Sequence, residues 1–78
     1  MDYILSTIPQ LANAIKSIRK KNAYSQQDIA AQTGLLQKTI SLLENKPDKS
    51  TIESLFKLIS ALNYKIVLAP KNKSGREW

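Results

Sequence analysis

The chain has 78 residues, so it forms one small domain, and a domain of that size hides only about 60% of its unfolded surface. Cysteine and histidine are both absent, which excludes disulfides, zinc sites and imidazole catalysis. Lys and Arg number 12 against 6 Asp and Glu, and the net charge of +6 favours polyanionic partners.

The opening MDYILSTIPQ carries an early acid and no long apolar run, so it does not read as a secretory signal. No segment approaches the ~20 apolar residues of a membrane span. Thr7 with Gln10 spells a capping box, with Pro9 in the first turn, and predicts a helix ending near residues 21–22. Ile8, Leu11, Ala12, Ile15 and Ile18 form its apolar face, and Lys16, Arg19, Lys20 and Lys21 make its end basic.

The next twenty residues, SQQDIAAQTGLLQKTISLLE, are the most informative. Ser25 with Asp28 resembles a second capping box, opening a helix over residues 26–32. Ala30 sits where this helix must approach its successor closely, and Gly34 falls at a turn that needs positive φ. Leu36, Ile40 and Leu43 then recur at i, i+4, i+7 and predict a third helix over residues 36–44 with one buried stripe. Its opposite face carries Lys38, Ser41, Leu42 and Asn45, with Gln37 at the flank. An amide, an ammonium and a hydroxyl displayed on a short helix can enter a DNA major groove and read base edges. Gln37, Lys38 and Ser41 are therefore the expected base readers, with Leu42 against a thymine methyl. Gln26, Lys46, Lys49 and backbone amides near Thr51 are expected to hold phosphates.

The loop over residues 45–50 contains Pro47. Ser50 with Glu53 predicts a fourth helix to about Leu62, burying Ile52, Leu55, Phe56, Ile59 and Leu62, with Asn63 as its C-cap. Residues 64–69, YKIVLA, are β-prone, and Pro70 stops them. A lone strand among helices has no partner in its own chain and leaves its amides and carbonyls unsatisfied. Pairing with the same strand of a second copy resolves this, so a homodimer is expected through Tyr64, Ile66, Val67 and Leu68, with Tyr64, Ile66 and Leu68 packed over Phe56 and Ile59. The fold expected is mainly α, four to five helices containing a helix-turn-helix, whose C-terminal β-strand forms an intersubunit sheet, an arrangement that resembles the lambda-repressor-like domain. It spans residues 1–69, followed over residues 70–78 by a flexible polar tail that finishes on an interface-type aromatic, Trp78.

The joint spacing of Ser25, Gln26, Ala30, Gly34, Ile40, Ser41 and Glu44 resembles the Cro/phage-repressor (XRE) helix-turn-helix family, whose core reads roughly SQxxLAxxxGxxxxxISxxE. That resemblance implies a structural pair between Arg19 and Glu44, bridging the first helix to the end of the third. Over the whole chain, Gln10-Leu11-Ala12-Asn13-Ala14, Gln37-Lys38-Thr39-Ile40-Ser41, Glu44-Asn45, the strand and the Glu77-Trp78 ending are similar to the HipB-type antitoxins of bacterial HipA/HipB operons. The likeness implies a cytoplasmic, nucleoid-associated homodimer with an intersubunit β-lid, binding double-stranded operator DNA to repress its own operon. It also implies a HipA-like Ser/Thr kinase toxin as partner, with Trp78 docking into it. Leu36 and Leu42 are apolar where close relatives carry polar side chains, so the operator sequence does not transfer.

Two other readings stay open: a stand-alone phage-type repressor, in which the tail would be dispensable, and an interaction module that no longer reads DNA. The outward Gln37, Lys38 and Ser41 argue against the second. An enzyme is not expected, because no Gly-rich phosphate loop or clustered carboxylates assemble a site. No metal, cofactor, membrane or small-molecule substrate is expected either.

Overall fold

The computed structural model describes residues 3–70; Trp78 and the rest of the tail lie outside them. Four α-helices form: α1 over Ile8–Lys21, α2 over Gln26–Thr33, α3 over Gln37–Asn45 and α4 over Ile52–Ala61, with a 3-10 turn at Pro47–Lys49 between the last two.

Local chemistry accounts for the helix ends. Thr7 Oγ accepts from the Gln10 amide (3.3 Å) while Gln10 Oε1 accepts from the Thr7 amide (3.2 Å), a complete capping box before α1. Ser25 and Asp28 do the same before α2, at 3.0 and 2.8 Å. The Ser25 backbone amide, and after it the Ser25 side chain, favour the charged Asp28 carboxylate and lower its pKa from the ordinary value. α2 ends on Gly34 in the left-handed conformation, φ 76°, with its amide donating to Ala30 O (2.9 Å).

The ends of α1 and α4 share one device. The Tyr24 amide donates to Arg19 O (3.1 Å) and the Ala23 amide to Lys20 O (3.0 Å), while Tyr64 and Asn63 donate to Ile59 O and Ser60 O (3.1 and 2.9 Å). Both are Schellman closures that require a left-handed residue, supplied by Ala23 (φ 61°) and Asn63 (φ 66°). Asn63 therefore stands just past the last capping residue, Leu62. Asparagine tolerates that conformation, whereas alanine adopts it at a cost of about 1–2 kcal/mol.

Ile15, Ile18, Ile29, Ile40, Leu43, Leu58 and Leu62 make one core, with Leu11, Tyr24, Ala30, Leu35, Leu55, Ile59 and Tyr64 packed around it. Several expected core residues lie elsewhere. Leu36 is 71% exposed because it is the N-cap of α3, and its extended backbone (ψ 147°) takes its side chain off the helical stripe; Leu35 packs inward instead. Ile8 is exposed at the first turn of α1, while Ala14 is buried. In α4 the cap is Thr51, not Ser50: Thr51 Oγ accepts from the Ser54 amide (3.1 Å), and the Ser50 hydroxyl donates back to Pro47 O (2.7 Å). The apolar residues of α4 cover more than one side of the helix, so they cannot all face one core. The inward side is Leu55, Leu58, Ile59 and Leu62, which leaves Ile52 and Phe56 in solvent.

Among the described residues no strand forms, and residues 64–70 have no regular secondary structure. A strand exists only through pairing, and the described residues supply no partner here. Tyr64 is half-buried against the core and meets Tyr3 edge to face, ring centroids 6.2 Å apart. Ile66, Val67 and Leu68 are exposed, so they do not pack over Phe56 and Ile59 within one chain.

Candidate nucleic-acid interface

The turn at Gly34 sends the chain from α2 into α3, which packs against α1, α2 and α4. Ile40, Leu43 and Glu44 are the buried residues of α3. Their positions fix its rotation, so Lys38, Leu42 and Asn45 point the other way. Gln37 and Lys38 are exposed in the first turn, and Ser41 and Leu42 are half-buried in the second. Asn45, named in the sequence only as an outward position, has a role there: its Nδ2 donates to Ser41 O (2.8 Å) and to Ser41 Oγ (3.4 Å). The Ser41 hydroxyl thus has one acceptor position occupied. The i, i+4 spacing of Ser41 and Asn45 is the sequence signal for that contact.

Lys46 caps α3 and is exposed, as is Lys49 in the following turn. Thr51, one step further along the same connection, caps α4; its hydroxyl is used locally with Ser54, and the first amides of α4 have no intrahelical partner. These cationic and amide groups sit on one continuous stretch immediately after α3. Among the described residues no group of three or more acidic side chains could hold a metal, and no helix is long and apolar enough to cross a membrane.

Behind this surface lies a buried network. Glu44 is 2% exposed, its carboxylate wholly enclosed. Arg19 from α1 engages it with two donors, Nε to Oε2 and Nη2 to Oε1 (3.0 Å), while Nη1 donates to Tyr24 O (2.8 Å). The hydrogen bond that Arg19 donates to Glu44 raises the Arg19 pKa, against the opposing effect of burial, so this guanidinium is charged at every practical pH. A third donor was not apparent in the sequence: Gln26 Nε2 reaches Glu44 Oε1 at 3.2 Å. Gln26, expected among the phosphate ligands, is thus tied to the Arg19–Glu44 pair. The structure brings together Arg19, Glu44 and Gln26. Tyr64, Ile66, Val67 and Leu68 lie in the segment after α4, apart from this network.

The family described as Helix-turn-helix matches residues 15–68. The chain is 37% identical over 68 residues to "Antitoxin HipB" of Escherichia coli K12, an alignment spanning 87% of this chain and 77% of that protein. It is 35% identical over 68 residues to the antitoxin HipB of Escherichia coli O6:H1, covering 87% and 72%. Among solved structures it is similar to a HipB variant in a complex with an O2 20mer, with a TM-score of 0.86 and 33% identity over 92% of this chain and 100% of that one. A chain from a HipA-HipB-O2-O3 complex matches with a TM-score of 0.84 and 35% identity, over 88% and 97%. With its turn glycine, its buried α3 stripe and its agreement over nearly the whole described fold, this chain belongs to the helix-turn-helix family and, within it, to the HipB-type antitoxins.

Proposed function

We propose that the chain acts as a homodimer that binds operator DNA, represses its own toxin–antitoxin operon and neutralises a HipA-like Ser/Thr kinase toxin. The observation that carries this reading is the solvent face of α3, where Gln37 and Lys38 stand exposed above the buried Ile40 and Leu43. A short helix fits a major groove about 12 Å wide, and amide and ammonium groups match the donor and acceptor pattern of base edges there. Gln37, Lys38 and Ser41 read bases, with Leu42 against a thymine methyl. Gln26, Lys46, Lys49 and the amides near Thr51 hold phosphates and set the register. The similarity to HipB chains in complexes with O2 and O4 20mers supports this assignment, and the HipA-containing complex supports the toxin partner.

Dimerisation has separate support. Ile52 and Phe56 of α4 and Ile66, Val67 and Leu68 of the segment that follows it are all exposed large apolar side chains. Pairing of residues 64–69 with the same segment of a second copy would satisfy their backbone groups and cover that surface. Trp78 is the proposed anchor in the toxin, on the strength of the antitoxin resemblance.

The test is a two-part cellular assay. A reporter driven by the DNA upstream of this gene should be silenced when the chain is expressed in trans. Co-expression with a HipA-like kinase encoded beside it should restore growth, and the chain lacking Glu77 and Trp78 should still silence the reporter but rescue growth poorly. A reporter that stays active contradicts the repressor role; growth that is never rescued contradicts the antitoxin role.

A further inference from the structure

Gln26 can hold a phosphate usefully only if its amide is already aimed. Glutamine has three rotatable bonds, and immobilising it opposes binding by the rotamer freedom lost. In this structure that freedom is already restricted, because Nε2 donates to Glu44 Oε1 at 3.2 Å. The two N–H bonds of a primary amide diverge in one plane, so committing one of them fixes the direction of the other.

Glu44 in turn has no freedom. Its side chain is fully buried, and Arg19 Nε and Nη2 bind both carboxylate oxygens. Among the described residues no buried side-chain nitrogen or oxygen lacks a partner. A buried carboxylate in the last turn of a helix also opposes the helix dipole, so its position is hard to explain as a contribution from α3 alone. Arg19 on α1, Glu44 on α3 and Gln26 at the start of α2 therefore form one relay across three helices.

We infer that Glu44 is a positioning residue for DNA binding: held by Arg19, it fixes the Gln26 amide so that the second Nε2 proton points at a backbone phosphate. The inference rests on the proposed reading of Gln26 as a phosphate ligand.

The experiment uses the full chain and its upstream DNA, with single phosphates replaced one at a time by neutral methylphosphonates. The wild type loses affinity at each contacted phosphate. Gln26→Ala weakens binding about threefold to tenfold, the range of one hydrogen bond, and becomes insensitive to one particular replacement. The salt dependence stays the same, because a neutral amide releases no counterion. The pair Arg19→Met with Glu44→Leu replaces the buried ion pair by apolar groups, a change that folds commonly tolerate, while Gln26 remains in place without its acceptor. That variant should lose the same phosphate and the same affinity, and adding Gln26→Ala to it should change nothing more.

Wild-type affinity and an intact phosphate fingerprint in the pair variant would overturn the inference. So would a full further loss on adding Gln26→Ala. If Gln26→Ala alone leaves every phosphate contact unchanged, the ligand reading of Gln26 fails first and takes the inference with it. Should the pair variant fail to fold, Glu44→Gln carries the test at a temperature where it is folded. Its weaker acceptor should make Gln26→Ala cost less than in the wild type, and an undiminished cost overturns the inference.

Discussion

Where α1, α2 and α3 meet, the side chains are closed on one another: Arg19 binds Glu44 and Tyr24 O, Gln26 completes the carboxylate, and the aliphatic core lies beneath. At the other end, α4 and the segment after it leave Ile52, Phe56, Val67 and Leu68 in solvent, Leu68 at 95% exposure. The first region satisfies its polar groups and needs no partner to be rigid. The second has apolar surface and backbone that the described residues leave uncovered. The difference teaches that the junction of α1, α2 and α3 is completed by its own side chains, whereas α4 and the segment after it leave apolar surface open to a partner.

The strongest way to break the closed region is to remove one member of its ion pair. Arg19→Ala leaves an enclosed carboxylate without its cation and should destabilise the fold by about 3–5 kcal/mol, a large share of the stability of so small a domain. Urea denaturation measures it, and a wild-type midpoint would mean the pair contributes little.

Val67→Pro attacks the open region instead. It removes a ladder donor in the proposed strand and should abolish dimerisation while α1–α3 stay folded. Sedimentation velocity with circular dichroism separates the two effects; an intact dimer would move the interface elsewhere.

Two substitutions distinguish kinds of DNA contact. Gln37→Ala should relax base preference at one position per half-site by about 1–3 kcal/mol, whereas Lys46→Ala should weaken all sequences alike and make the slope of log K against log salt shallower by about one. Binding-site selection and a salt titration read these outcomes, and identical behaviour of the two variants would erase the distinction.

Helix ends give a smaller contrast. Gly34→Ala puts a Cβ on a left-handed residue and should cost about 1 kcal/mol, although nothing stands within 4 Å of the added atom. Ala23→Gly, at φ 61°, relieves the same strain and should stabilise by up to about 1 kcal/mol. Thermal melts that move the same way in both would contradict the strain argument.

The smallest effect is set by pH. Because the Asp28 carboxylate is favoured in the folded state, its stabilisation is present above the unfolded pKa and lost as pH falls through the lowered folded value. The stability difference between wild type and Asp28→Asn should therefore narrow toward strongly acidic pH. A difference that is constant down to that range would place the charge outside the cap.

The readable parts of the sequence were those governed by local rules. Thr7 and Gln10, Ser25 and Asp28, and Gly34 announce helix boundaries because each residue acts on backbone a few positions away. The rotation of α4 was not readable: with apolar residues at 52, 55, 56, 58, 59 and 62, the choice of Leu58 over Phe56 is made by α2 and α3, not by α4 itself. Leu36 misled for a related reason, since periodicity assumes a helical backbone and Leu36 precedes the helix. Ala23 carries no signal at all, because its left-handed conformation is imposed by the closure around it. In the candidate interface, the outward face of α3 follows from spacing, while the bond from Gln26 to Glu44 joins residues 18 apart and depends on tertiary placement.

Native mass spectrometry of the chain with an equimolar mixture of two duplexes, one from upstream of its own gene and one of scrambled sequence, tests the central claim most directly. Operator-specific binding by a dimer predicts two chains on the upstream duplex and a preference of roughly a thousandfold or more over the scrambled one near physiological salt. Single chains distributed equally over both duplexes would contradict it.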